Sequence, residues 1–269
     1  MPCKRLTGPW HQNRFSPSLP CRRLLLCWHW FYSLIYGKNK FKAMKQNTRW
    51  IYKALGMILL IYALVGGLTI QLPYELPIIY ESIRNLFYHV SMWFAMMFIL
   101  FISFIYSLRY LKGFDPAHDR IAAQAAQVGI VFGMLGIFTG MLWANETWGA
   151  PWVRDPKLNG AAMSLLVYFA YMILRSSIGD EEKRARISAV YNIFAFVLMI
   201  IFIGILPRFG GESLHPGQAG SPMTVAELDP TLRMVFYPAI IGWLLLAVWI
   251  LEIRVRMRRI HDNLQGRQQ

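Results

Sequence analysis

The sequence predicts an all-α fold, a polytopic membrane protein built as a bundle of six transmembrane helices with a ligand site formed by its outer-face loops. Three observations predict it. Apolar residues, 56% of the 269, gather in six runs of about 20 with almost no internal charge, the length that crosses a ~30 Å hydrocarbon layer. Backbone polar groups in hydrocarbon must be satisfied within their own segment, so each run is expected to be a helix. The Lys and Arg residues, finally, crowd into alternate connections, as positive-inside proteins require.

Residues 1–43 stand apart from the rest of the chain. They hold all three cysteines (Cys3, Cys21 and Cys27), scattered Arg and Trp, and no acidic residue. Leu24–Gly37 is apolar but short for a span, and it lacks the small-residue cleavage site of a signal peptide. Met44 opens "MKQNTRWIYKALG", a short basic start into a membrane helix. Met44 is therefore expected to be the natural start, and 1–43 a non-native or disordered basic extension. An interfacial helix over Leu24–Tyr36 is the competing reading. Without this segment no cysteine remains for disulfide, iron–sulfur or thiol chemistry.

The six runs, in order, are Ile51–Leu72, Leu86–Leu108, Ala122–Leu142, Gly160–Ile178, Ile187–Leu206 and Leu232–Leu251, giving a membrane domain over 44–259 and a basic tail over 260–269. Arg109, Lys112 and Arg120 lie between spans two and three; Arg175, Lys183, Arg184 and Arg186 between four and five. Arg254, Arg256, Arg258, Arg259 and Arg267 follow span six. The opposite connections carry only Arg84, then Arg154 and Lys157, then Arg208 and Arg233. This asymmetry places both termini in the cytoplasm and Trp148–Gly160 outside, in the periplasm or its equivalent, and a bacterial inner membrane is the expected location. The net charge of +14 then marks loops in contact with a lipid bilayer, and no nucleic-acid partner is expected.

Span three carries Gly129, Gly133, Gly136 and Gly140 on one helical face, a stripe that lets another helix come close. Met92, Met96 and Met97 in span two read as adaptable packing rather than metal ligands. Intramembrane charge is nearly absent, so no proton or ion path is visible. Walker-type phosphate loops, HExxH and paired catalytic carboxylates are missing as well. With no acid–base or nucleophile constellation, a carrier is expected rather than an enzyme.

The topology sorts the six histidines. His11 and His29 belong to the first 43 residues, and His118 and His261 to the cytoplasmic side, where a solvated role suffices. His89, at the outer end of span two, and His215, in the outer loop before span six, share a face with "WGAPWVRDPKLNG" (Trp148–Gly160). That loop combines two indoles with Gly, Pro and fixed charges. An aromatic belt at the interface explains tryptophan alone, but not this combination. Haem uses all of these groups: its iron takes axial imidazoles, aromatic faces stack on its plane, and cations pair with its propionates. Arg84, Arg154, Lys157 and Arg208 are placed on the outer face for that pairing. Pro151 and Pro156 disfavour a deep regular helix, so a short interfacial helix or stiff loop is expected, with Trp148 and Trp152 at headgroup level.

The segment resembles the tryptophan-rich "WWD" signature of the haem-handling proteins of cytochrome c biogenesis, and most of all their heme exporter protein C (CcmC) type. The resemblance covers Met44–Arg259 in span count, orientation and motif order. It implies that His89 and His215 are axial iron ligands for a transiently bound haem b, with Trp148, Gly149, Trp152 and Asp155 as the platform. It further implies delivery of haem to a periplasmic haem chaperone, with ABC-type transporter subunits and a small membrane subunit as partners. Two positions depart from the pattern: Arg154 stands where a tryptophan is usual, and Asn159 where Thr is common. Two other readings stay open. A b-type membrane cytochrome in quinone redox chemistry would need paired histidines on facing spans, and only His89 lies in one. A permease subunit of an ABC exporter without its own haem site would be separated by its haem content.

Overall fold

The computed structural model describes residues 46–72, 81–209, 213–215 and 228–265. The expectations for 1–43 (the extension, the Met44 start, the interfacial helix, the three cysteines, His11 and His29) lie outside these residues, as does Arg267. Among the described residues there is no strand, and six helices are long and apolar enough to cross a membrane. They are α1 (Gln46–Thr69), α2 (His89–Gly113), α3 (Pro116–Trp148), α4 (Pro156–Ser177), α5 (Glu181–Ile200) and α6 (Pro230–Gln265). A 3₁₀ helix over Ser82–Phe87 leads into α2, and α5 continues through a π turn at Ile201–Ile205 into Leu206–Phe209. The all-α six-span expectation holds.

Helix starts follow a local chemistry that recurs along the chain. Asp115-Pro116, Asp155-Pro156 and Asp229-Pro230 each put a carboxylate before a proline. The carboxylate accepts from Ala117 N, from Lys157 N and from Thr231 N respectively. Proline suits the first helical position because its missing N–H has no partner there in any case. Pro156 therefore begins α4, where the sequence alone read it as disfavouring helix. Asp180 caps α5 in the same way through Lys183 N, with Glu181 and Glu182 behind it in the first turn.

Pro238 is the exception, standing inside α6. It cannot donate to the carbonyl of Met234, four residues back, and an unpaired carbonyl in hydrocarbon is costly. Tyr62 of α1 donates its hydroxyl to that carbonyl at 3.3 Å. The two helices run antiparallel along each other, with Gly56 against Leu245, Gly66 against Val235 and Gly242 against Leu60. Residues 259 and 260 fall within α6, so the basic tail begins as helix.

The core lies between α2, α3, α4 and α5, around Met96, Ile99, Leu100, Val128, Leu165 and Met199. The glycine face of α3 brings its neighbours close. A Cβ added at Gly129 would lie 2.5 Å from Leu100, at Gly133 2.5 Å from Leu165 and 2.7 Å from Met96, at Gly136 2.9 Å from Trp93, and at Gly140 2.6 Å from His89. The glycine spacing of four, three and four thus receives α2 side chains at the same spacing, as antiparallel helices in contact through one face demand. A buried amide adds to this packing: Asn192 of α5 donates to Ser103 and Ser107 of α2 at 2.7 and 2.8 Å.

Gly160 meets backbone rather than side chain, since a Cβ there would lie 2.2 Å from the carbonyl oxygen of Phe202, in the π turn. Main chain cannot swing aside as a leucine can. Gly160→Ala is expected to lower stability by about 2 kcal/mol, read as a lower midpoint of thermal unfolding in detergent. Gly113→Ala, with nothing within 4 Å of the new methyl, should leave that midpoint unchanged or slightly higher.

Candidate functional site

His89 is the first residue of α2, so the 3₁₀ helix before it and the glycine face of α3 together set its position. The ring lies against Gly140 and meets Trp93 edge-on, with centroids 6.2 Å apart. Its Nδ1 is 2.8 Å from the Gly136 carbonyl and 3.2 Å from Thr139 Oγ1. A carbonyl only accepts, so Nδ1 carries the proton and Nε2 keeps its lone pair.

The carboxylate of Asp155, with no exposed surface, organises the other half of the site. Oδ1 accepts from Lys157 N at 2.9 Å and Leu158 N at 3.2 Å, which starts α4. Oδ2 accepts from Ser213 Oγ and Leu214 N, both at 2.8 Å. His215 Nδ1 stands 2.9 Å from Oδ1, without the alignment of a full hydrogen bond. The His215 ring packs edge-on against Trp148 at 5.0 Å and tilted over Trp143 at 5.9 Å, and those two indoles meet at 4.9 Å.

Both imidazoles therefore rest on the same end of α3, His89 at Gly136–Gly140 and His215 at Trp143–Trp148. Of the two forms expected for Trp148–Gly160, a short interfacial helix or a loop, the structure has the loop between two membrane helices. Trp148 is the last residue of α3, Gly149 closes that helix at φ 75°, and α4 is under way by Pro156. Between the two caps runs a short stiff loop. A Cβ on Gly149 would meet nothing within 4 Å, so its left-handed backbone is what calls for glycine. Trp152 projects from this loop 43% exposed.

The four expected cations divide. Arg154 is exposed on the loop and makes no ion pair or hydrogen bond with a described residue. Arg208 is exposed at the end of the α5 extension, and Lys157 is half-buried in the first turn of α4. Arg84 is committed elsewhere: its guanidinium donates to the carbonyls of Gly67 and Ile70 at 2.8 and 3.2 Å and to Glu81 at 2.7 Å. It closes the end of α1, whose last carbonyls have no helical partner.

Residues 19–211 match the family of cytochrome c assembly proteins. This chain belongs to that family. Over 97 residues it is 39% identical to the cytochrome c biogenesis protein CcsA of Prochlorococcus marinus strain MED4, a stretch that is 36% of this chain and 30% of that relative. Over 175 residues it is 25% identical to the heme exporter protein C of Paracoccus denitrificans, covering 65% of this chain and 72% of the relative. The heme exporter protein C of Bradyrhizobium diazoefficiens is 31% identical over 166 residues, 57% of this chain and 63% of its own length. The chain thus spans less than a third of the CcsA relatives and most of the heme exporter C relatives, and the CcmC-type likeness read from the tryptophan-rich segment is borne out.

Within this cytochrome c assembly protein, three groups went unnoticed in the sequence: Trp143, Ser213 and the Gly136–Gly140 seat of His89. Following the helix back from Trp148 to Trp143 would have found the first; nothing in the sequence marks Ser213. Burial pushes the His215 ring below its ordinary range, and Lys157 adds to the shift while Asp155 opposes it. Burial also acts to raise Asp155. Ser213, His215 and the N–H groups of Leu158 and Leu214 outweigh it and hold the carboxyl below its usual range. At neutral pH the pair is a carboxylate beside a neutral ring protonated on Nδ1, which leaves Nε2 free to bind a metal.

Asp155→Asn keeps an acceptor for the α4 start but has one carbonyl oxygen to serve two sets of donors. Hydrogen exchange at Leu214 N–H is expected to rise about tenfold or more in this variant, with the first turn of α4 little changed. Asp155→Ala should expose both regions, losing about 1 kcal/mol of helix capping as well. Peptide-level exchange over 156–160 and 213–215 reads the two apart.

Proposed function

We propose that this chain binds haem on its outer face and presents it for cytochrome c maturation, with His89 and His215 as the axial iron ligands. The supporting observation is that His89 Nδ1 is bonded to the Gly136 carbonyl, His215 Nδ1 lies 2.9 Å from the Asp155 carboxylate, and both rings rest on the tryptophan-rich end of α3. Among the described residues no three His, Cys, Asp or Glu side chains converge as a metal cage. Two imidazoles suit a metal that brings its remaining ligands with it, as porphyrin iron does. Haem, when bound, supplies an iron with two axial positions and a pair of propionates.

The chain's own residues then have separate tasks. Gly136 and Thr139 orient His89, and Asp155 orients His215. Trp148 and the exposed Trp152 offer aromatic faces, with Gly149 turning the chain between them. Arg154 is the cation best placed for a propionate, with Lys157 and Arg208 beside it; Arg84 contributes by fixing α1 rather than by touching ligand. In this reading the cargo is haem b held without a covalent bond. It passes to a periplasmic haem chaperone with the help of ABC-type transporter subunits and a small membrane subunit, and the chain is a carrier rather than an enzyme. The excess of Lys and Arg at the opposite connections supports an inner-membrane orientation with both termini cytoplasmic.

Purified protein is expected to show a Soret band that His89→Ala/His215→Ala abolishes; a band kept by the double variant overturns the ligand assignment. Protons compete with iron for the imidazoles. Haem retention should therefore be full at neutral pH and fall as pH drops through the depressed His215 range, below the ordinary value of about 6.5. Absorbance during a pH titration measures this.

A further inference from the structure

At the other end of α1 and α6, away from the histidines, three cations crowd one carboxylate. Glu252 is met by the Tyr52 hydroxyl, by Lys53 Nζ at 3.2 Å, by Arg49 Nε at 3.7 Å and by Arg256. Three positive charges against one negative leave the group at +2. The Lys53 ammonium sits among the rings of Trp50, Tyr52 and Trp249, at 5.8, 5.8 and 5.4 Å. Depth is fixed by the sequence: the apolar run of α1 starts at Ile51 and that of α6 ends at Leu251, so the cluster stands at the edge of the hydrocarbon. Tryptophan and tyrosine gather at that level, and Trp50 is 64% exposed. Just inside the hydrocarbon the two helices close on each other, Gly56 against Leu245 and Gly242 against Leu60, so a molecule bound at the cluster meets the bundle from its lipid-facing side.

We propose that this cluster binds an anionic diacyl phospholipid, its phosphate between Arg49 and Arg256 beside Lys53 and its acyl chains in the surrounding hydrocarbon, where Ile51 and Leu55 are exposed. One carboxylate does not balance three cations, and at the low-dielectric edge of a bilayer the surplus charge calls for an anion. The side chains of Arg49 and Arg256 are 30% and 48% exposed, so both reach out to a headgroup. A zwitterionic lipid brings no net charge, and a free phosphate has no acyl chains to hold it at the edge of the hydrocarbon. The site does not depend on the haem reading.

The test uses the full-length protein in detergent, with thermal unfolding followed after adding phosphatidylglycerol, phosphatidylcholine or inorganic phosphate, and bound lipid counted by native mass spectrometry. Phosphatidylglycerol is expected to raise the midpoint and stay bound, while the other two do neither. Arg49→Gln/Arg256→Gln should weaken phosphatidylglycerol roughly 10- to 30-fold, at about one unit of surface attraction per cation. Glu252→Gln removes the competing anion and should tighten it, whereas a purely structural clamp would loosen; if that variant fails to fold, the arginine pair decides. Equal stabilisation by both lipids, the same effect from phosphate alone, or unchanged affinity in the double arginine variant overturns the proposal.

Discussion

The distance between α2 and α3 governs this molecule. Four glycines on one face of α3 let α2 approach until its side chains rest on the partner's backbone, and His89 is the outermost of those side chains. In hydrocarbon there is no water to expel from between two helices, so close packing of this kind carries the association. A packing stripe and a ligand seat are here one surface. A bulkier residue at Gly140 would alter the imidazole first and the bundle second, because a ring held at 2.6 Å from a new Cβ has to move.

The opposite half of the site is built differently. His215 lies on a loop, where backbone has no ladder of its own, and its position comes from a buried charge and two indoles. One imidazole is thus held by rigid helix packing and the other by polar contacts to Asp155. Sites built on helices are held more tightly than sites on loops. The two candidate ligands therefore differ in stiffness even though their free nitrogens are chemically alike.

Hydropathy made the six helices legible, since runs of about 20 apolar residues have few other uses. The glycine stripe was legible as a contact face, but its partner was not: spacing on one helix does not name the helix that meets it. The histidines were found by topology and residue type. Asp155 was singled out as part of the platform, and its bonds to Ser213 and Leu214 were not legible because they cross 58 and 59 residues of sequence. The rule that proline breaks helices concealed the start of α4, where Asp155 and Pro156 together initiate one. Arg84 was assigned by charge and side alone, and its bonds to the open carbonyls at the end of α1 were not legible in the sequence.

The two oxygens of Asp155 answer to different parts of the chain, Oδ1 to the first turn of α4 and Oδ2 to the segment before His215. A loop tied in this way is not an independent moving part. Any excursion that pulls Ser213 and Leu214 away leaves a charged oxygen without its donors in a place water does not reach, and the natural relief is for the carboxylate to turn, taking its grip on α4 with it. The seat of His215 and the beginning of a membrane helix are in that sense a single cooperative unit, opened or closed together.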